Sequence, residues 1–187
     1  MAERWTAAQM PSLAGKSILV TGANSGIGYR AALEFARHGA HVVAACRSQE
    51  KADNTAERLR REAAGASVDA AVIDLASLQS VRTFAEGFAA AGAPLDVLVN
   101  NAGVMALPSR QLTEDGFERQ FGTNHLGHFA LTGLLMPVLR KAERSRVVTI
   151  ASLAHRNGKM EWNNLQGELN YVPWNAYNAS RSVGAHV

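Results

Sequence analysis

Five short runs in this chain are apolar almost without interruption: SILVT (17–21), HVVAA (41–45), VDAAVID (68–74), DVLVN (96–100) and RVVTI (146–150). A strand with one wet face alternates apolar and polar residues, whereas a strand covered on both faces does not. Each run therefore reads as a strand between two covering layers. Helical patterns separate them. The first helix begins near Ile27 and carries Ala31, Ala32, Phe35 and Ala36 on one face, with Gly39 just past its end. Gly65 and Gly92 punctuate the next two helices, and Ser77 is an N-cap candidate for LQSVRTFAEGF. A longer helix is expected from about Thr113 to Arg140, with Pro137 kinking or ending it. Residues 153–175 read as a long loop. Such alternation requires crossover connections, so the expected fold is α/β, a doubly wound parallel sheet in three αβα layers. One domain over 1–187 accounts for the whole chain.

Composition narrows the function classes. With 47% hydrophobic and 19% charged residues, the chain can build an ordinary core. Its net charge is only +3, and basic residues are interleaved with acids, as in Glu57-Arg58-Leu59-Arg60-Arg61-Glu62. That pattern suits a solvated helix and argues against nucleic acid as a partner. The lone Cys46 excludes an internal disulfide and fits a reducing compartment, so a cytoplasmic location is expected. No N-terminal stretch has a charged start followed by an apolar core, and FALTGLLMPVL is too short for a membrane segment.

The stretch VTGANSGIG follows the first strand and opens the first helix. Gly22, Gly26 and Gly28 leave little bulk where the backbone turns and a pyrophosphate must approach. Asn24, Ser25 and Ile27 complete the loop, and the helix start offers unpaired N–H groups to an anion. The spacing G-x-x-x-G-x-G differs from the other common dinucleotide fingerprint. Many NAD-binding proteins place an acid at the end of the second strand, on the ribose 2′-hydroxyl. Here AACRS has none, and Arg47 follows. Arg47 reads either as a partner for a 2′-phosphate, favouring NADP (NADPH) over NAD, or as a solvated strand end. Asp74 accepts from an adenine amino group or caps the turn into LASLQS. The histidines His125, His128 and His155 are not spaced as a metal set, so no metal site is expected.

The pieces TGANSGIG (21–28), DLAS (74–77), NNAG (100–103), NHLGHF (124–129), ASLAH (151–155) and the start at Tyr177 resemble the short-chain dehydrogenase/reductase family, from about residue 15 to 181. SLAH, NNLQGE and the long interval from Ser152 to Tyr177 resemble its retinol-dehydrogenase-like and related bacterial members. The resemblance implies a Rossmann-type fold and hydride transfer between nicotinamide and a small-molecule carbonyl or alcohol. Tyr177 would be the acid/base, Ser152 would hydrogen-bond the substrate oxygen, and Asn124 would hold a water linking the neighbouring cation to solvent. Leu75 and the Asn101-Ala102-Gly103 segment would lie along the cofactor. A phenol with an ordinary pKa of about 10 needs a nearby cation to act near neutrality. Residues i and i+4 share a helix face, so position 181 is placed to supply it and to touch the nicotinamide ribose.

Two departures stand against full activity. The family has Lys where this chain has Arg181, which keeps the charge but cannot relay a proton. The resemblance also stops abruptly after Ser180, as in a truncated or frameshifted product, and Val183, Gly184 and Val187 have weak helix propensity. The last strands and helices of the family fold are therefore expected to be missing, leaving the fifth strand as an exposed edge. The alternative to an enzyme is a catalytically impaired nucleotide-binding module. In the family the helix expected over 113–140 forms a homodimer interface.

Overall fold

The computed structural model describes residues 5–183. Five parallel strands, β1 (Ser17–Thr21), β2 (His41–Cys46), β3 (Val68–Val72), β4 (Val97–Asn100) and β5 (Arg146–Thr149), form one sheet in the order β3-β2-β1-β4-β5. Parallel neighbours demand crossovers, and helices supply them on both faces. The helices are α1 (Gly26–Arg37), α2 (Gln49–Glu62), α3 (Leu78–Ala90), α4 (Arg119–Phe121), α5 (Gly127–Leu139) and α6 (Pro173–Val183). Short 3₁₀ turns occupy Ala7–Gln9 and Leu153–Asn157.

The unbroken apolar character of β1 has a direct cause. Ile18 and Val20 point into one core with Ala32, Leu33 and Ala36 of α1 and Leu59 of α2. Leu19 points the other way, against Val81 of α3 and Leu131, Leu135 and Val138 of α5. Two cores on two faces leave no wet position on the central strand. α1 buries Tyr29, Ala32, Leu33 and Ala36, so its core face is rotated from the expected one: Ala31 and Phe35 are only half-buried. Ser77 Oγ accepts from Ser80 N, as an N-cap should.

Three expected boundaries move. β3 ends at Val72, before Asp74, and β5 ends at Thr149. The helix expected from Thr113 begins only at Arg119, because residues 112–118 form a tight turn closed by a Leu112–Glu118 bridge. Between α4 and α5 the helix widens into a π turn, Gly122–Leu126. Pro137 sits in the last turn of α5, which ends two residues later. The segment 153–175 is not wholly a loop, since it contains one 3₁₀ turn and the start of α6.

β5 lies at the edge of the described sheet, with Val147 and Val148 each 41% exposed. Gly184 and Val187 fall outside the described residues. No helix among the described residues is long and apolar enough to cross a membrane.

Candidate cofactor and active site

After β1 the chain builds outward through β2 and β3, then returns to the other side of β1 for β4 and β5. The loops leaving β1 and β4 therefore diverge, and a crevice opens at the carboxyl ends of the strands. It encloses about 510 Å³ and draws its walls from the ends of all five strands and from α6. Gly22, Asn24, Ser25, Ile27, Gly28, Arg47, Asp74, Leu75, Asn101, Ala102, Gly103, Ser152, Tyr177 and Arg181 all line it. Gly26 and Asn124 do not.

The glycine turn serves the protein first. Gly22 has φ +65°, and a Cβ there would come within 2.9 Å of Ala102 Cα. A Cβ on Gly28 would overlap the Asn101 amide and the Gly22 carbonyl. Asn101 Nδ2 donates to Thr21 O at 2.8 Å and to Gly22 O at 3.3 Å, locking the two loops together. Two of the three glycines thus admit the neighbouring loop. Gly26 is the one that leaves open space: its φ is +56°, and a Cβ there would meet nothing within 4 Å. The Ser25 side chain does not cap α1, so the first N–H groups of that helix stay free to receive an anion.

At the β2–β3 end, Arg47 and Lys51 are exposed and share the lining. Lys51 lies in the first turn of α2, four residues after Arg47, and no sequence motif marked it. Asp74 caps its turn, with Oδ1 accepting from Ala76 N at 2.9 Å, and still borders the crevice. Arg119 and Thr123 also line it and were not anticipated. No short motif marks them. Four cationic side chains and one carboxylate therefore face this space.

At the β4–β5 end, Tyr177 is 7% exposed and packs edge-on against Trp174, with ring centroids 5.8 Å apart. Ser152 begins the 3₁₀ turn, its Oγ accepting from Ala154 N at 3.2 Å. Arg181 reaches under Gly103. Its Nη1 donates to Ile150 O at 3.1 Å, its guanidinium carbon is 5.5 Å from the Tyr177 ring centroid, and its Nε is buried without a partner. A Cβ on Gly103 would overlap that guanidinium.

Asn124 lies behind this wall, on the π turn, a widening frequent at functional sites. Its amide is fully engaged. Oδ1 accepts from Val104 N at 2.8 Å, and Nδ2 donates to Val104 O and Ser180 Oγ. Ser180 Oγ in turn donates to Tyr177 O at 2.7 Å. Asn124 is thus a buried clamp between the 103–104 backbone and α6.

His128 ties this clamp to the glycine turn. It is fully buried, and desolvation pushes its pKa down to about 4. Its Nδ1 meets Asn124 O at 3.0 Å, and a carbonyl can only accept, so Nδ1 carries the proton. Nε2 then accepts from Thr21 Oγ1 at 2.9 Å. Thr21 Oγ1 also accepts from Asn101 N and Ala102 N. Among the described residues, no three His, Cys, Asp or Glu side chains converge as a metal set.

A doubly wound parallel sheet with a glycine turn at its switch point defines a Rossmann-type protein. The family model for short chain dehydrogenase matches residues 16–181, and the chain belongs to that family. It is 47% identical over 154 residues to retinol dehydrogenase 13 of Homo sapiens, covering 82% of this chain and 46% of that protein. The chain thus spans about half the length of that curated relative. The crystal structure of an uncharacterized protein from Mycobacterium Paratuberculosis superposes with a TM-score of 0.84 at 46% identity, over 95% of this chain and 61% of that one. Two further structures share 27% identity. A short chain dehydrogenase from Escherichia coli CFT073 complexed with NADPH has a TM-score of 0.73, covering 91% of this chain and 68% of its own. A 7α-hydroxysteroid dehydrogenase complexed with NADH has a TM-score of 0.72, covering 94% and 63%.

Proposed function

We propose that the chain is the dinucleotide-binding and acid/base portion of an NADP(H)-dependent oxidoreductase acting on a small carbonyl or alcohol. One observation carries the cofactor reading: Arg47 and Lys51 flank the crevice where an acid would otherwise hold a ribose 2′-hydroxyl. The residues fit such a group. Gly22, Asn24, Ser25, Ile27 and Gly28 line the crevice at the start of α1, and cations outnumber carboxylates four to one around the space. When bound, the nicotinamide group supplies or accepts the hydride.

The chain's own residues do the rest. The free N–H groups at the start of α1 hold the pyrophosphate, and Arg47 with Lys51 holds the 2′-phosphate. Leu75, Asn101, Ala102 and Gly103 bound the path between the two ends. Ser152 Oγ donates to the substrate oxygen and fixes it beside Tyr177. As negative charge grows on that oxygen in reduction, Tyr177 Oη passes its proton to it, and takes one back in oxidation. Asn124 holds the 103–104 backbone and α6 in register, so Tyr177 cannot drift from that oxygen. Arg181 supports the charge from below the ring but relays no proton. Turnover is accordingly lower than a lysine would give.

A second reading has its own support. Arg181 spends Nη1 on the Ile150 carbonyl, which favours a binding module with impaired catalysis. The single free, buried Cys46 suits a reducing, cytoplasmic setting. Phe129, Leu134 and Met136 are exposed on α5 and suit a homodimer contact. We treat 1–187 as one domain.

Titrating the purified chain with NADPH while following protein fluorescence, then adding aldehydes and ketones, separates these readings. NADPH oxidation supports the enzyme, and binding without oxidation supports the module. Absence of binding refutes both.

A further inference from the structure

Arg119 and Thr123 are polar, line the crevice, and are left over by the proposed chemistry. They lie one turn apart, across α4 and the π turn, on a single helical face. The neighbouring residues on that helix are occupied elsewhere: Gln120 donates to Tyr171 and Pro173, and Asn124 to Val104 and Ser180. The Arg119 side chain makes no ion pair or hydrogen bond among the described residues. Thr123 Oγ1 is buried without a partner. An orphaned buried hydroxyl in a crevice wall is costly unless something placed there completes it.

Their position along the crevice follows from packing. One turn beyond Thr123, Gly127 sits so close to the Leu75 carbonyl that a Cβ would collide with it. The turn before Arg119 rests on the same segment, where Glu114 N donates to Ala76 O and Leu78 N to Asp115 Oδ2. The Arg119–Thr123 face therefore borders residues 74–76 at the β3 end, with Arg47, and lies away from Ser152 beyond β4. That is the end opposite the acid/base pair. A flat, neutral, hydrogen-bonding group filling this part of the crevice has a planar guanidinium and an unpartnered hydroxyl among its walls.

We infer that Arg119 and Thr123 form a purine site: the Arg119 guanidinium stacks on the base of the bound dinucleotide, and Thr123 Oγ1 bonds its edge. Guanidinium planes stack on aromatic bases, and lysine offers charge without the plane. This inference rests on the dinucleotide reading above, yet it is tested separately from it.

The test measures dissociation constants of NADPH, 2′,5′-ADP and inorganic pyrophosphate for the native chain and for Arg119→Met, Arg119→Lys and Thr123→Val. Far-ultraviolet circular dichroism and the melting temperature confirm that each variant folds. Base stacking contributes about tenfold in affinity. Arg119→Met is expected to weaken NADPH and 2′,5′-ADP by about that factor and to leave pyrophosphate within about twofold. Arg119→Lys behaves like Arg119→Met, because charge alone does not stack, and Thr123→Val weakens both nucleotides several-fold. If the native chain binds neither nucleotide, the dinucleotide reading fails and this inference falls with it. If the native chain binds both and Arg119→Met is unchanged, only the purine site is refuted. Full rescue by Arg119→Lys, or an equal loss for pyrophosphate, assigns Arg119 to phosphate and likewise overturns the stacking role. A variant that fails the folding check is replaced by Arg119→Gln, judged on the same ratios.

Discussion

Lowering the pH from 7 to 4.5 is expected to destabilise this chain through one imidazole. Burial is the main reason that His128 is held to a pKa of about 4, against an ordinary value of 6.5; its bond to the Asn124 carbonyl works the other way, and the Arg181 and His125 charges add to the depression. The unfolded chain takes up a proton as the pH falls through 6.5, while the folded chain refuses it until about pH 4. Stability is therefore complete above the unfolded value and declines below it. Over this interval the difference is worth about 2–3 kcal/mol, an order-of-magnitude figure from 1.36 kcal/mol per pH unit. With a urea dependence of about 2 kcal/mol per molar, the midpoint drops by roughly 1 M. Burial also lowers the pKa of His125 and acts in the same direction, so the decisive comparison is with His128→Gln. That variant keeps a donor and an acceptor but cannot charge. Its midpoint should be lower at pH 7 and should fall by roughly 1 M less than the native midpoint between pH 7 and 4.5. Equal falls in the two proteins would refute a neutral, buried His128 bridging Thr21 and Asn124.

Other outcomes follow from the same contacts. Gly103→Ala should cost about 1–3 kcal/mol by pushing against the Arg181 guanidinium and Asn124; thermal melts of Gly103→Ala with and without Arg181→Ala should show that the double variant recovers part of the loss. Leu135→Ala, which empties a fully buried position in the α3–α5 core, should cost about 2–5 kcal/mol in urea unfolding at pH 7 without changing the NADPH dissociation constant. Arg181→Lys should raise the rate of NADPH oxidation with a responsive aldehyde by roughly tenfold, and no gain would count against the charge-only role of Arg181. Phe129→Glu should shift the chain toward monomer in sedimentation if α5 carries a homodimer contact, because Phe129 is 67% exposed on that helix.

What the sequence revealed depended on how local each cause was. The strands were legible because a strand buried on both faces must be apolar throughout, as β1 and β2 are. The crevice residues in the glycine turn, at Arg47, Asp74 and Leu75, and from Asn101 to Gly103 were legible because β–loop–α junctions place them by chain connectivity alone. The start of α4 was not. Residues 112–118 have passable helical character, but Thr113 pairs its backbone with Phe117, and Glu118 turns its carboxylate onto Gln120 N and Phe121 N as a cap. The start of α6 carried an overlooked signal, since Pro173 suits a first helical position. The contacts of Asn124 were not legible, because its partners Val104 and Ser180 lie 20 and 56 residues away. Long-range contacts of that kind leave no local trace. Arg119 and Thr123 were invisible for the same reason: their meaning comes from the loop of residues 74–76, brought beside them by the sheet.

The measurement that bears most directly on the proposed function is the ratio of NADH to NADPH dissociation constants for the native chain, read by fluorescence titration at low ionic strength. Two cations at the β2–β3 end and no acid predict that NADPH binds at least about tenfold more tightly, since charge-assisted bonds to a phosphate contribute about 1.5–3 kcal/mol. Equal affinities, tighter binding of NADH, or no binding of either would contradict it.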